Sequence, residues 1–280
     1  MNVLELLRQG SKKLKFYNIN SHILDSEILL SKVLRKNREK LLINLNEKVE
    51  LKKINEFNLL IERRRFKEPI AYILQQKEFW SKNFLINKNI LIPRPETELM
   101  VEKLVKVYKD KSINILDIGT GSGCILISLL SELKGSRGLG VDISTKAVEV
   151  AKINSRNNRL TNKTRFIHRS FLKIVNKKFD LIVSNPPYIK RSDLRNLDID
   201  VKKFEPKIAL DGGNDGLDLI RKVIYKTKNI LKINGMLALE IGNEQLRKVS
   251  KILTENNLRE EYLIKDRINN VRCIISRLIG

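Results

Sequence analysis

Asn185-Pro186-Pro187-Tyr188 closes the apolar run Phe179-Asp180-Leu181-Ile182-Val183-Ser184, and its residue types suit the capture of a planar nitrogen. The side-chain amide oxygen of Asn185 can accept one N–H of an NH2 group. The two prolines carry no backbone donor and stiffen the loop. That leaves the Pro186 carbonyl as a second acceptor for the same group, and Tyr188 offers a flat face to a planar substrate. Together they read as the acceptor pocket of an N-methyltransferase, for an amide or the exocyclic amine of a base. A plain turn after a strand is the competing explanation, because Asn and Pro are both turn formers.

A donor side precedes it in the chain. Ile113 to Ile118 is a short apolar strand, Gly119-Thr120-Gly121-Ser122-Gly123 follows, and Cys124 to Leu130 has the composition of a buried helix. Strand, glycine turn and helix in this order make a nucleotide-type cofactor site. A dinucleotide fingerprint places its third glycine at the sixth position, under a pyrophosphate. Here that position is Cys124 and the third glycine comes one place early. The tighter G-x-G-x-G, preceded by Asp117, suits S-adenosylmethionine, which has no phosphate. Asp142 ends the next strand, Gly138 to Val141, where an acid can accept both ribose hydroxyls. It also fits a helix cap for the run that begins at Thr145.

These residues need a scaffold of alternating elements. From about Asn89 onward the pattern predicts strands near 113–118, 138–142, 165–169, 179–184, 235–241, 259–265 and 271–277, with helices between most of them. Such alternation predicts a mostly parallel, doubly wound α/β sheet of seven strands with ligands at the strand C-terminal ends. The short polar gap from Asp266 to Asn270 predicts an antiparallel hairpin at one edge. Up to about Leu74 the apolar residues recur at three- and four-residue steps, which predicts a small all-α bundle of four or five helices. Glu78 to Asn87 reads as a β-hairpin, with a polar turn between aromatic-rich runs. The expected divisions are a helical substrate-recognition domain over 1–74, a β-hairpin linker over 75–92 and the catalytic domain over 93–280.

Composition narrows the classes. A chain of 280 residues with 42% hydrophobic content supports one large domain and one small one. No run reaches transmembrane length, and the N-terminus lacks the shape of a signal peptide. Cys124 and Cys273 lack metal spacing and His22 and His168 are isolated, so no metal site is expected. Buried free cysteines and the absence of a leader point to the cytoplasm. Fifty-five Lys and Arg against 32 Asp and Glu leave a net charge of +23. That surface could contact RNA, or could reflect a chain rich in Lys throughout.

The chain resembles the HemK/PrmC family, the protein-(glutamine-N5) methyltransferases of class 1 peptide chain release factors. The resemblance covers nearly the full length. It rests on Ile92-Pro93-Arg94-Pro95-Glu96-Thr97-Glu98, Asp117 to Gly123, Val141-Asp142-Ile143-Ser144, Asn185-Pro186-Pro187-Tyr188-Ile189, Glu205-Pro206, Gly212 to Leu217, and Glu240-Ile241-Gly242 with Gln245. It implies a Rossmann-like class I S-adenosylmethionine-dependent methyltransferase domain after a small helical one, acting as a monomer on release factors. It implies cofactor contacts from Asp117, Gly119, Thr120, Gly121, Ser122, Gly123, Asp142, Ile143, Ser170, Phe171 and Asn185. Asn185, Pro186 and Tyr188 would be catalytic, and Asn185, Pro186, Pro187, Tyr188, Arg94 and Glu96 would bind the substrate. The Pro-Arg-Pro-Glu-Thr-Glu segment also reads as a well-capped helix start, with Pro95 in the first turn and Glu96 and Glu98 at the positive end of the dipole. Three departures stand out. Ser170 replaces a usual acid, Gln75 a common glycine before the hairpin, and Asn269-Asn270 a frequent glycine in the last turn.

Two rival functions fit parts of this. An adenine-N6 DNA or RNA methyltransferase suits Asn-Pro-Pro-Tyr and the charge, but no inserted target-recognition domain is visible. A non-catalytic ribosome-associated binding protein would explain Ser170 and the charge, and leaves the intact glycine loop without a purpose.

Overall fold

The computed structural model describes all 280 residues, and they divide into two compact units, Met1–Gln76 with Asp198–Phe204, and Lys77–Leu197 with Glu205–Gly280. The first unit holds helices α1 (Val3–Phe16), α2 (His22–Leu34), α3 (Arg38–Ile43), α4 (Leu51–Arg65) and α5 (Ile70–Leu74). Helix α1 begins with a capping box: Asn2 Oδ1 accepts from the Glu5 amide and Glu5 accepts from the Asn2 amide. The apolar residues that recur at helical spacing meet in one core of Leu6, Leu14, Leu29, Leu30, Val33, Phe57 and Ile61. A buried ion pair, Arg64 Nε to Asp25 Oδ2 at 2.7 Å, sits beside that core. Arg64 also reaches Asp200, on the short helix Ile199–Phe204 that later sequence adds to this unit.

The second unit is a seven-stranded sheet. Its strands are β3 (Asn114–Ile118), β4 (Arg137–Asp142), β5 (Thr164–His168), β6 (Phe179–Ser184), β7 (Leu231–Glu240), β8 (Leu258–Lys265) and β9 (Val271–Leu278). The order is β5-β4-β3-β6-β7-β9-β8, parallel as far as β7, with β9 antiparallel to both of its neighbours. This is the expected mixed sheet with an antiparallel hairpin at one edge. Strand β7 starts four residues before its expected position, and its extra length is absorbed by a register shift against β6. Side chains alternate across the sheet with period two. Leu181, Val183, Met236 and Ala238 enter one core with the helices Pro95–Val107 and Cys124–Glu132. Leu116, Ile182, Leu237 and Leu239 enter the other with Asp218–Ile230 and Leu246–Glu255.

The hairpin β1 (Gln76–Phe79) and β2 (Lys82–Leu85) is packed into this unit, where the sequence reading made it a linker. Phe79 and Phe84 join the first of the two sheet cores. Its turn is Trp80-Ser81, less polar than expected. Both residues sit at φ +52°, as a two-residue primed turn requires. Asn154, on helix Thr145–Asn157, pins the hairpin with both ends of its amide. Oδ1 accepts from the Leu85 amide at 2.7 Å, and Nδ2 donates to the Leu85 carbonyl at 3.0 Å. The glycine substitutions have a common explanation. Gln75 ends α5 at φ +57° and Asn269 turns the last hairpin at φ +69°, both left-handed positions where glycine is the usual solution. No helix is long and apolar enough to cross a membrane.

Candidate active site

In an open parallel sheet the ligand crevice forms at the carboxyl ends of strands, where the strand order reverses. Here the chain runs outward from β3 to β4 and β5, then returns to β6 on the other side of β3. The glycine loop after β3, Asp142 at the end of β4 and Asn185 after β6 therefore meet at the ends of three adjacent strands.

The glycine loop is held from below. The amides of Gly119 and Thr120 both donate to the Val141 carbonyl, at 2.9 and 3.1 Å, and the Gly123 amide donates to the Thr120 carbonyl at 2.7 Å. Gly119 has φ +72° and faces open space on the side where a Cβ would project. Gly123 has φ +80°, and a Cβ there would lie 3.1–3.3 Å from Ile127, Phe166 and Ala151. Thus the first glycine leaves room for a ligand, whereas the third allows the helix to pack on the sheet. Thr120 and Ser122 are buried. Thr120 Oγ1 donates to Asp117 Oδ2 at 2.6 Å, and the Ser122 carbonyl accepts from Asn154 at 2.9 Å. The Thr120 side chain and the Ser122 backbone thus support the loop from within.

Asp117 is the unusual group. It is 1% exposed, one carboxylate oxygen is taken by Thr120, and Oδ1 has no hydrogen-bond partner. Burial pushes its carboxyl up to about 7, against the pull of the Thr120 hydroxyl, and the nearby charge of Asp142 adds to the rise. The Leu126 amide also favours the charged form, and a buried carboxylate oxygen that makes no hydrogen bond suits a cationic ligand group. Asp142 differs: Oδ1 accepts from the Ser144 amide at 2.9 Å and Oδ2 from the Gly121 amide at 3.0 Å. It ties β4 to the glycine loop. The helix cap is Ser144, whose Oγ accepts from the Ala147 amide at 3.2 Å, so Asp142 is not the cap.

On the far side of β4, Ile143 is 57% exposed and lines a cleft of about 580 Å³ with His168, Arg169, Ser170 and Lys173. Phe171 is 8% exposed and belongs to the sheet core. It opens the 3-10 turn that follows Ser170.

The acceptor loop is anchored at both ends. Ser184 Oγ donates to the Ile118 carbonyl at 2.9 Å, Ile189 exchanges backbone bonds with Leu210 and Gly212, and Gln245 Nε2 donates to the Tyr188 carbonyl at 2.9 Å. Asn185 Nδ2 donates to Thr97 Oγ1 at 3.3 Å, Thr97 Oγ1 donates to Glu240 Oε2 at 2.6 Å, and Tyr188 OH donates to Glu240 Oε1 at 3.3 Å. Glu240 is 2% exposed, and burial raises its carboxyl above the usual range. Burial also raises the Tyr188 phenol, and Glu240 adds to the effect. Tyr188 is thus tethered by its hydroxyl as well as offering its ring. Pro186 is buried and Pro187 half-buried.

Arg94 and Glu96 flank this group: the charge of Arg94 acts on Tyr188 and that of Glu96 on Glu240. Arg94 Nη2 donates to the buried Glu205 at 2.7 Å, whose other oxygen accepts from the Ile92 amide. Glu96 lines a cleft of about 550 Å³ with Trp80, Pro95, Glu98, Leu99, Glu102 and residues 266–268 of the last hairpin, without any of Asn185 to Tyr188. No hydrogen bond joins either of them to the Asn-Pro-Pro-Tyr loop. Thr97, between them in sequence, is the residue that touches Asn185. Both it and Glu240 lie in segments that carry the family resemblance, but neither was given a role from the sequence. A lone carboxylate closing the apolar run Leu237-Ala238-Leu239 was the available signal.

Comparisons with known proteins agree with this arrangement. Residues 5–74 match the PrmC N-terminal domain and residues 95–200 the methyltransferase small domain. A bifunctional methyltransferase of Rickettsia prowazekii is 39% identical over 98% of this chain, which spans only 57% of that relative's length. Among solved structures, the catalytic domain of hMettl16 bound to an RNA hairpin superposes with a TM-score of 0.57 at 16% identity, covering 79% of this chain and 82% of that one. The ribosomal protein L11 methylase of Lactobacillus delbrueckii superposes at 0.51 with 22% identity, over 67% and 81% of the two chains. Those two likenesses establish the fold. The release factor glutamine methyltransferase of Clostridium acetobutylicum is 35% identical over 96% of this chain and 97% of its own length, and that of Fusobacterium nucleatum is 36% identical over 98% and 78%. With such identity along nearly the whole of both chains, this protein belongs to the release factor glutamine methyltransferase family.

Proposed function

We propose that the protein methylates the side-chain amide nitrogen of the glutamine in the Gly-Gly-Gln motif of class 1 peptide chain release factors, with S-adenosylmethionine as methyl donor. Bound S-adenosylmethionine supplies an electrophilic methyl carbon on a sulfonium. The observation that carries this reading is the Asn185 amide, held by its nitrogen end on the strand next to the glycine loop. Asp117 and the backbone of Gly119 to Gly123 hold the donor, and the unpaired Asp117 Oδ1 suits the ammonium of its amino-acid part. Asp142 shapes the loop on the ribose side, with Ile143, Ser170 and Phe171 around the adenine. Arg94 and Glu96 act beyond the acceptor loop: Arg94 fixes Glu205, and Glu96 belongs to the rim.

An amide nitrogen is a poor nucleophile because its lone pair is delocalised into the carbonyl. Asn185 Oδ1 and the Pro186 carbonyl accept the two N–H bonds of the glutamine amide and aim its nitrogen. Positioning of this kind contributes roughly 7–11 kcal/mol in well-oriented reactions. Both acceptors strengthen as positive charge develops on the nitrogen, and the proton then leaves to water. Tyr188 covers the amide plane and excludes solvent. The helical unit serves as the docking surface for the release factor, and the enzyme acts as a monomer in the cytoplasm, with no need for nucleic acid.

Mass spectrometry of the Gly-Gly-Gln peptide, after incubation of release factor with enzyme and labelled donor, should show one added methyl on glutamine. Asn185→Ala should abolish that product while donor affinity stays within about tenfold, or roughly 1.4 kcal/mol. A variant with near-full turnover would remove Asn185 from the acceptor role.

A further inference from the structure

Asn185 can serve as an acceptor only if its amide oxygen, and not its nitrogen, faces the substrate. The two ends of an amide are nearly equal in size, and the terminal torsion of Asn is broad and roughly two-fold. Something must select one orientation. On the reading that Asn185 grips the substrate nitrogen, we infer that Thr97 and Glu240 are positioning residues that lock the Asn185 amide with Oδ1 toward the acceptor pocket.

The argument is a count of hydrogens. The Thr97 hydroxyl has one, and an ionised carboxylate has none. Thr97 Oγ1 lies 2.6 Å from Glu240 Oε2, so its hydrogen is committed to Glu240. Toward Asn185 the same oxygen then presents lone pairs only. An N–H can meet it and a carbonyl oxygen cannot, so Nδ2 occupies this side at 3.3 Å and Oδ1 takes the other. The reversed amide would set two oxygens together at Thr97 and point an NH2 at the NH2 of the substrate.

Glu240 is suited to be the fixed end of this chain. Tyr188 OH donates to its second oxygen at 3.3 Å. Burial raises its carboxyl, and the hydrogen bond from Thr97, the charge of Arg272 and the hydrogen bond from Tyr188 each pull toward the ionised form. Removing a carboxylate from water costs several kcal/mol even after the protein relaxes around it. The neighbouring Leu237, Ala238, Leu239 and Ile241 show that an apolar side chain would satisfy the strand at lower cost. The expense is intelligible if the charge directs Thr97, and through it Asn185. The three residues come from the first turn of Pro95–Val107, the end of β6 and the end of β7, so the relay also aligns three elements.

The test compares Thr97→Val, which removes the hydroxyl at nearly constant volume, with Thr97→Ser, which restores it. Turnover on release factor, donor affinity by calorimetry and the thermal midpoint are measured on the full chain. The Asn185 side-chain NH2 is observed by nitrogen-15 NMR and assigned by its loss in Asn185→Asp. Thr97→Val should lower kcat at least about tenfold, a barrier increase of about 1.4 kcal/mol, with donor affinity nearly unchanged. It should also shift the Asn185 NH2 pair and speed its exchange with solvent. Thr97→Ser should restore both. A Thr97→Val enzyme with wild-type kcat and an unmoved NH2 pair would reduce the relay to a structural tie. If the wild-type enzyme leaves the release factor unmethylated, the methyl-transfer reading fails, and the NH2 pair still decides how the amide is held.

Discussion

Asp117 and Glu240 are both carboxylates buried at the ends of strands, and they meet different fates. Glu240 has a donor on each oxygen, whereas Asp117 has one oxygen without a partner. With its carboxyl raised to about 7 in the free protein, Asp117 is substantially protonated below that pH, and the protonated form cannot pair with an ammonium. Donor affinity should therefore weaken as pH falls through 7, approaching tenfold per unit, or about 1.4 kcal/mol. Calorimetry between about pH 5.5 and about pH 8 in matched buffers checks this. Stability runs the other way. A carboxyl raised in the fold holds its proton where the unfolded chain has lost it, so the free protein loses stability as pH rises from about 4 to 7. Asp117→Asn should flatten both profiles, and unchanged profiles would free Asp117 from the ligand. Asp117 and Asn185 were legible because strand, loop and residue type lie together in sequence. Thr97 and Glu240 were not, because 143 residues separate the partners of one hydrogen bond.

At the scale of elements, close approach limits what the helices accept. Gly10 lies inside α1, where alanine would ordinarily gain up to about 1 kcal/mol of helix propensity. A Cβ there would lie 2.7 Å from both Phe57 Cζ and Ser26 Oγ. Gly10→Ala should therefore destabilise the helical unit by about 1–3 kcal/mol, because overpacking outweighs propensity. Urea unfolding followed by circular dichroism reads the change, and a gain in midpoint would show that α1 can move off α4 at little cost. The sequence foretold the helices of this unit from their period, since each buries one face. It also foretold every strand of the large sheet to within a few residues. It did not foretell the clash at Gly10, which depends on how α1 crosses α4, nor the hairpin's attachment, which combines the Phe79 and Phe84 rings in the sheet core with the buried amide of Asn154. The Trp80-Ser81 turn was obscured because neither residue favours the left-handed conformation that the backbone adopts there.

For the molecule as a whole, a charge of +23 on 280 residues implies self-repulsion in the folded state. Added salt screens such repulsion, so the thermal midpoint should rise by a few degrees between about 20 and about 300 mM sodium chloride, as the screening length falls below 10 Å. A flat or falling midpoint would mean that the ion pairs spread over the surface already balance the excess. Charge was the plainest feature of the composition and the least informative about chemistry, because it marks no position in the fold. The site was legible for the opposite reason: its residues are few and lie at the ends of strands that the hydrophobic pattern marks out, although their adjacency in the sheet comes from the fold. One consequence follows from the hairpin. Its tip carries the only tryptophan of the chain, and the buried amide of Asn154 joins its second strand to the Ser122 carbonyl in the glycine loop. The indole, whose Nε1 donates to Glu132 at 3.0 Å, is therefore a native fluorophore whose emission gauges the packing of the hairpin without any dye or tag.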